Sequence, residues 1–339
     1  LTAVTPARAA GAVDVVVTAP GGSATLTGGF TYHVPPTIAS IAPNFGGASG
    51  GTSVIITGAN FVAGSTSVAV GGAAATSVNV LSSTTLTAVT PAHAAGAVNV
   101  VVTSPGGSTT LSSGFTYIGV PTIASFTPDV GGTSGGQTVT ITGTNFVAGN
   151  TTVTIGGVAA TSVTIISSTS LTATTPAHAA GAVDIVVTTP GGTITLTGGF
   201  TYHDPPAIAS IASGAGPISG GQTVTITGTG FVAGNTTVTI GGVAATSVNV
   251  TSSTSLTATI SAHAAGVVDI VVTTPGGTIT LNGGFTYHAP PTITSPLNPA
   301  AGPISGGTSV TITGTNFVAG STTVTIGGVA ATSVTIISS

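Results

Sequence analysis

Charged side chains are almost absent from this chain of 339 residues, which contains one Lys or Arg and five Asp or Glu residues. A nucleic-acid-binding surface needs many cations to neutralise phosphates, so the single cation, Arg8, excludes that class. The sequence has no Cys, which excludes disulfides and thiolate metal sites. No uninterrupted apolar run reaches about 18 residues, so we expect no membrane-spanning helix in this segment.

Small and apolar residues make up most of the chain, with 52 Gly and a hydrophobic fraction of 41%. Disordered chains combine low hydrophobicity with high net charge, whereas the formal net charge here is −4. The composition therefore predicts a folded protein with a nearly neutral surface.

A period of 85 residues organises the sequence. The motif Gly-Phe-Thr-Tyr ends at Tyr32, Tyr117, Tyr202 and Tyr287, each 85 residues after the previous one. This period is too long for a solenoid repeat of about 20 to 45 residues and is typical of a small domain repeated in tandem. We number the repeats I to V and predict domain boundaries that give residues 1–33, 34–118, 119–203, 204–288 and 289–339.

Short alternating segments fill each repeat. Residues 138–142 of repeat III read Thr-Val-Thr-Ile-Thr, which places two apolar side chains on one face and three threonines on the other. About seven such strands with Gly- and Pro-containing turns predict an all-β sandwich, and residues 176–181 predict a loop. The predicted core of repeat III is Val139, Ile141, Val153, Ile155, Val183, Ile185, Val187, Phe200 and Tyr202.

Repeat III resembles an IPT/TIG domain. The resemblance is carried by PTI at 121–123, GGQTVTITGTNF at 135–146, VTIGGVAA at 153–160, VDIVV at 183–187 and GFTY at 199–202. It extends over essentially the whole chain and implies tandem immunoglobulin-like β-sandwiches of about 85 residues each. IPT/TIG domains occur in bacterial surface proteins, receptor ectodomains, transcription factors and starch-acting enzymes, so the fold alone does not fix the function. The resemblance carries no catalytic residue over to this chain.

The aspartates offer no pair of carboxylates. Acid–base chemistry on sugars needs two carboxylates a few Å apart, and calcium prefers several per site. Asp129 and Asp204 each stand alone near a repeat boundary. We therefore predict no enzyme, no catalytic residue, no cofactor and no metal ligand, and expect the strand aspartates on a solvated face. The repeated strand position is occupied by Asp14, Asn99, Asp184 and Asp269.

Histidines occupy two repeated positions. A metal site needs ligands that converge, and no His-x-His or His-x-x-x-His spacing is present. Arg8 replaces His at the first position and Ile118 replaces it at the second, which indicates that neither position needs imidazole chemistry. We expect exposed loop histidines or histidines stacked at a domain junction. The first set is His93, His178 and His263, and the second is His33, His203 and His288.

The links between repeats are short and rich in proline. Only His203 and Asp204 separate Tyr202 from the next Pro-Pro pair, and Pro restricts both itself and the residue before it. Such links predict a rod rather than a flexibly tethered chain. The outward threonines predict a neutral, hydrated strand face. The alternative interpretation is lateral association through this face, because charge repulsion is missing.

Two hypotheses from different classes follow for the function. The first is a structural repeat region of an extracellular fibre, sheath or adhesin stalk, of a bacterial-type surface or filament protein, whose partner is its own neighbouring copies. The second is an array of carbohydrate- or receptor-binding modules on a cell surface. Sugar-binding platforms use exposed aromatics, and Phe45 and Phe126 are the candidates outside the core pattern. Specific binding on a glycan array would favour the second hypothesis.

Residues 1–33 correspond to the closing strands of a repeat, and residues 289–339 correspond to the opening strands. A half sandwich exposes its core and its strand edges, so we expect more protein to complete each one. The completion would come from a longer repeat chain or from the complementary half of a neighbouring subunit, and either arrangement predicts an extended filament.

Overall fold

The structure, a computed structural model, describes residues 1–338 and is built from β-strands, with no helix among those residues. The chain forms two compact units. The first contains Leu1–Asp129, Gly135–Ala177 and Ala182–Phe200, and the second contains the other described residues. Repeat II lies in the first unit and repeat IV in the second, so each shows the architecture within a single unit.

Repeat I forms one antiparallel hairpin of β1 (Gly11–Ala19) and β2 (Gly22–Tyr32). The hairpin is closed by the sequence Pro-Gly-Gly at residues 20–22, and Gly22 has a φ of 133°, which favours glycine. Most of its side chains are exposed.

Repeat II forms a two-sheet sandwich of nine strands, rather than the predicted seven, because two very short strands extend the edges of one sheet. The strands are β3 (Thr37–Ala42), β4 (Phe45–Gly47), β5 (Ser53–Ala59), β6 (Ser67–Val70), β7 (Ala73–Ala74), β8 (Thr76–Ser82), β9 (Thr85–Val89), β10 (Gly96–Ser104) and β11 (Gly107–Ile118). One sheet has the order β3-β5-β9-β8 and the other β4-β11-β10-β6-β7. β4 is parallel to β11, whereas β10 is antiparallel to both of its neighbours.

Repeat III has the same strand order. Its strands are β12 (Thr122–Thr127), β13 (Val130–Gly132), β14 (Thr138–Thr144), β15 (Thr152–Ile155), β16 (Val158–Ala159), β17 (Thr161–Ser167), β18 (Ser170–Thr174), β19 (Gly181–Thr189) and β20 (Gly192–His203). They form sheets β12-β14-β18-β17 and β13-β20-β19-β15-β16. The predicted loop at 176–181 is confirmed up to its last residue, Gly181, which begins β19.

Repeat IV repeats this arrangement in the second unit. Its strands are β21 (Ala207–Ala212), β22 (Ala215–Pro217), β23 (Thr223–Thr229), β24 (Thr237–Ile240), β25 (Val243–Ala244), β26 (Thr246–Ser252), β27 (Ser255–Thr259), β28 (Gly266–Thr274) and β29 (Gly277–His288). The sheets are β21-β23-β27-β26 and β22-β29-β28-β24-β25.

Repeat V forms two short pairs rather than a sandwich. The strands are β30 (Thr292–Ile293), β31 (Gly314–Thr315), β32 (Thr325–Ile326) and β33 (Val329–Ala330). β30 pairs with β31 and β32 pairs with β33, both antiparallel.

Alternation along the strands builds the core between the two sheets of each complete repeat. In repeat II the core residues come from both sheets and are almost fully buried. Burying a large apolar side chain stabilises the fold by about 1.5–3 kcal/mol relative to leaving it exposed. The prediction for repeat III is confirmed at eight of its nine positions, each 2% exposed or less. The core of repeat II contains Ile41, Val54, Ile56, Phe61, Val68, Val70, Leu86, Ala88, Val100, Val102, Phe115 and Tyr117.

Val183 is the predicted core residue that is only half-buried. At the equivalent places in the other complete repeats, the register shifts between Val98 and Val100 and between Val268 and Ile270. Across each shift the partner strand advances four residues, from Phe115 to Leu111 or from Phe285 to Leu281, while the first strand advances two, so the bulge lies in the partner strand. At this position Val98 and Val268 pack against the cores of their own repeats as partly buried side chains. The predicted alternation is kept along β19, where Val183 lies at the partly buried margin and Ile185 and Val187 are fully buried.

Candidate functional site

The first set of histidines stacks on the tyrosines that recur at the ends of the closing strands. The ring centroids of His93 and Tyr117 are 5.1 Å apart with an interplanar angle of 22°, and those of His263 and Tyr287 are 5.0 Å apart at 25°. His178 stacks in the same way on Tyr202. The prediction of exposed or junctional histidines is therefore wrong for this set, because the rings are half-buried against their own repeat.

Hydrogen bonds fix the two rings of each stack. Nδ1 of His93 lies 2.8 Å from the carbonyl oxygen of Ala94, and the Tyr117 hydroxyl donates to the carbonyl oxygen of Pro91 at 2.7 Å. Burial raises the pKa of Tyr117, an effect that the Thr90 side chain partly opposes. Burial likewise raises the pKa values of the two equivalent tyrosines. The stack therefore anchors the loop that precedes β10 onto β11, which is a structural role.

The second set of histidines follows the closing strands. His33 is exposed, and His203 and His288 are half-buried. Asp204 is exposed beside His203. Among residues 1–338, no group of three or more His, Cys, Asp or Glu side chains is placed to hold a metal ion.

The strand aspartates hold the bulge of the closing hairpin. Oδ1 of Asp184 accepts a hydrogen bond from the Gly198 N–H at 2.8 Å, and Asp14 and Asp269 make the same bond in repeats I and IV. In repeat II, Oδ1 of Asn99 accepts from a backbone N–H at 3.0 Å. These side chains are exposed, as expected, but sequence patterning missed that they bind the backbone across the hairpin.

A row of hydroxyl groups covers the outer face of the four-stranded sheet in repeat III. Thr127, Thr140, Thr172 and Thr164 are cross-strand neighbours on successive strands. The equivalent row of repeat II contains Ile55, whose side chain is 49% exposed. The predicted neutral, hydrated strand face is therefore most complete in repeat III, where the row consists of four threonines and contains no charged residue.

The two aromatic candidates for a sugar platform do not form one. Phe126 is 8% exposed, and its ring contacts Phe200 edge to face at a centroid distance of 5.8 Å. Phe45 is half-buried in β4. Stacking on a sugar needs an exposed ring face, so Phe126 serves as a core residue.

Two open grooves lie at repeat boundaries in the second unit. One is lined by Tyr202, His203, Asp204 and Phe231 among others, and the other by the equivalent Tyr287, His288 and Phe317. Among residues 1–338, the one buried side-chain polar atom without a hydrogen-bond partner is Ser104 Oγ, which lies in neither groove. The described residues also include no helix that is long and apolar enough to cross a bilayer.

Comparison with known proteins identifies the repeats. Among curated proteins, mouse Fibrocystin-L is 29% identical over 215 residues, covering 62% of this chain and 5% of the relative. Human Fibrocystin-L is 30% identical over 227 residues, covering 65% and 5%. The chain thus spans about 5% of the length of these relatives. Among solved structures, the extracellular region of plexin A4 is 23% identical with a TM-score of 0.38, covering 77% of this chain and 25% of that one.

The family profile of the IPT/TIG domain matches four consecutive stretches, residues 36–117, 121–202, 206–287 and 291–339. The matches repeat with the sequence period and include each two-sheet sandwich described above. This chain therefore belongs to the IPT/TIG domain family, as a tandem array.

Proposed function

We propose that this chain is a structural spacer, a tandem array of domains that forms part of an extracellular fibre, sheath or adhesin stalk without chemistry of its own. The observation that carries the proposal is the use of the distinctive side chains. The histidines of the first set stack on tyrosines of their own repeat, and the strand aspartates bind their own hairpin. The polar chemistry of each repeat therefore maintains the repeat itself.

The proposal includes domain boundaries and a shape. We place the boundaries after residues 33, 118, 203 and 288, so that each closing strand ends its own domain. The short links, with prolines at residues 35–36 and 205–206, favour a rod in which cohesion between copies is non-covalent. A chain without Lys cannot form lysine–asparagine cross-links. Extracellular or cell-surface placement is part of this proposal.

Small-angle X-ray scattering of the full chain tests the shape. We expect an elongated particle whose cross-section equals that of a single sandwich. A compact particle, with repeats folded back on one another, would contradict the spacer function. Immunolabelling of intact, unpermeabilised source cells tests the placement, and labelling only after permeabilisation would overturn it.

The alternative is an array of carbohydrate- or receptor-binding modules, whose partners would be glycans or a host cell surface. Of its two aromatic candidates, Phe126 is buried and Phe45 is half-buried, which favours the spacer. Binding of the full chain to a glycan array distinguishes the two functions. We expect no specific binding, and a saturable signal for one glycan class would make the binding function the better proposal.

A further inference from the structure

The hairpin turn Pro-Gly-Gly of each complete repeat packs against the link that leads into the same repeat. A Cβ built on Gly191 would lie 2.6 Å from the carbonyl carbon of Gly119 and 2.9 Å from the carbonyl oxygen of Ile118. In repeat IV, a Cβ on Gly276 would lie 2.6 Å from the carbonyl carbon of Asp204. Real Cβ atoms essentially never come within 3.0 Å of such atoms, so only glycine permits this backbone contact.

The opposite side of the same turn contacts the preceding repeat. A Cβ on Gly47, the last residue of β4 in repeat II, would lie 2.7 Å from the carbonyl oxygen of Pro190. In the second unit, a Cβ on Gly132 would lie 3.2 Å from the carbonyl oxygen of Gly276. The turn is thus held between the link and the end of the parallel strand of the preceding repeat.

Two other repeats provide positions for comparison with this contact. Gly21 has the same turn position in repeat I, yet nothing lies within 4 Å of a Cβ built there. Pro217 occupies the position of Gly47 and Gly132 in repeat IV, where it still pairs with His288. The strand position therefore tolerates a side chain within its own sandwich.

We infer that the Pro-Gly-Gly turn is an interdomain lock, a surface that fits the end of the parallel strand of a preceding IPT/TIG domain and fixes the orientation of the two domains. The inference deepens the proposed spacer function and rests on it. The link from repeat II to repeat III contains Gly119 and a single proline, Pro121, so its own sequence does not make it stiff. The turn supplies the missing restraint by occupying the space between the link and β4.

Distance measurements between spin labels test the lock. The chain has no Cys, so the double variant Asn79→Cys and Thr164→Cys gives two unique labels at equivalent exposed positions of repeats II and III. Double electron–electron resonance on the full chain should give one narrow distance distribution. In that background, we expect Gly47→Ala or Gly191→Ala to shift the mean distance or to broaden the distribution to roughly twice its width, as for a flexible link.

Gly21→Ala is the matched control, because it makes the same change at the same turn position where the space is open. It should leave the distribution unchanged. Gly47→Ala is the more decisive variant, since Pro217 shows that its own sandwich accepts a side chain there. Hydrogen exchange of repeats II and III checks that both stay folded.

The outcomes separate the lock from the spacer function. A narrow distribution that neither Gly47→Ala nor Gly191→Ala alters would overturn the lock and leave a rigid spacer. A broad distribution in the parent double variant would overturn both. Broadening with Gly21→Ala as well would show that the effect is not local to the junction and would also overturn the lock.

Discussion

The closing hairpin occurs both as repeat I and inside repeat II, in nearly the same sequence but in different surroundings. β1 and β2 pair from Gly11 opposite Tyr32, with a register shift between Val13 and Val15, and β10 and β11 pair in the equivalent register with the equivalent shift. Yet Phe30 is 40% exposed, whereas its counterpart Phe115 is fully buried.

The hairpin has the same local geometry in both repeats. The rings of Phe30 and Tyr32 meet edge to face at 4.9 Å, as do those of Phe115 and Tyr117. The turn, the bulge and the ring pair come from residues close in sequence, whereas burial needs the strands of the second sheet and of β4 and β6. The comparison separates a locally encoded hairpin from a core that the whole repeat creates.

The largest expected effect comes from truncating the buried aromatic. Phe115→Ala removes a ring with no exposed surface, so we expect the free energy of unfolding of repeat II to fall by about 3–5 kcal/mol. Phe30→Ala makes the same change at a site that is 40% exposed and should leave the complete repeats unchanged. Hydrogen exchange with mass spectrometry, resolved by repeat, measures both. Equal losses of protection would show that the hairpin of repeat I contributes to a shared core.

Much of the fold follows from the sequence, because period-2 alternation and turn residues are local signals. The buried positions Val139 and Ile141 and the loop after Thr175 are of this kind. The hydrogen bond from the Gly198 N–H to Asp184 was not predicted, because it joins two residues that are fourteen apart and lie on different strands. The histidine stacks also depend on contacts that composition does not reveal.

The aromatic contacts of the complete repeats also predict a sensitivity to alkaline pH. Burial raises the pKa values of Tyr117, Tyr202 and Tyr287 above the ordinary 10.0, so the unfolded chain ionises at lower pH than the folded one. The stability contribution is therefore complete below pH 10.0 and is lost as pH rises through the pKa values of the folded state. Denaturant unfolding between neutral and strongly alkaline pH, with tyrosinate absorbance, measures this loss.

Tyrosine-to-phenylalanine variants isolate the cause of that loss. Replacing Tyr117, Tyr202 and Tyr287 together by Phe should remove most of the alkaline dependence. At neutral pH, Tyr117→Phe alone should cost about 1–2 kcal/mol, because the Pro91 carbonyl oxygen loses its 2.7 Å donor. An unchanged alkaline slope in the triple variant would assign the loss to other groups.

Removing the hydrogen bond at the bulge should lower the free energy of unfolding by a smaller amount, about 1 kcal/mol. Asp184→Ala leaves the Gly198 N–H without its acceptor at 2.8 Å, although solvent can partly replace it at this exposed site. Asp184→Asn should be nearly neutral, since Asn99 already serves as the acceptor in repeat II. Protection of the Gly198 amide against exchange reports the bond directly. If Asp184→Asn were as costly as Asp184→Ala, the charge rather than the acceptor would be what matters.

The smallest expected effect is a gain in the stability of repeat II from a substitution at the turn that precedes β11. Thr189 and Thr274 accept a hydrogen bond from the turn amides of Gly191 and Gly276 at 3.2 Å, whereas Ser104 Oγ is buried without a partner. A β-branched side chain restricts χ1, so the hydroxyl introduced by Ser104→Thr should accept a hydrogen bond from the Gly106 N–H. We expect the free energy of unfolding of repeat II to rise by about 0.5–1 kcal/mol.

The same position in the other repeats provides both controls for that gain. Thr189→Ser should lower the free energy of unfolding of repeat III by a similar amount, because the serine side chain is less restricted at χ1, as Ser104 is in repeat II. Ala19 has this position in repeat I and is exposed, so Ala19→Thr should change nothing. Chemical denaturation with repeat-resolved exchange compares the three variants. Destabilisation by Ser104→Thr would mean that the additional methyl group overpacks repeat II, and that the two turns differ in packing rather than in one hydrogen bond.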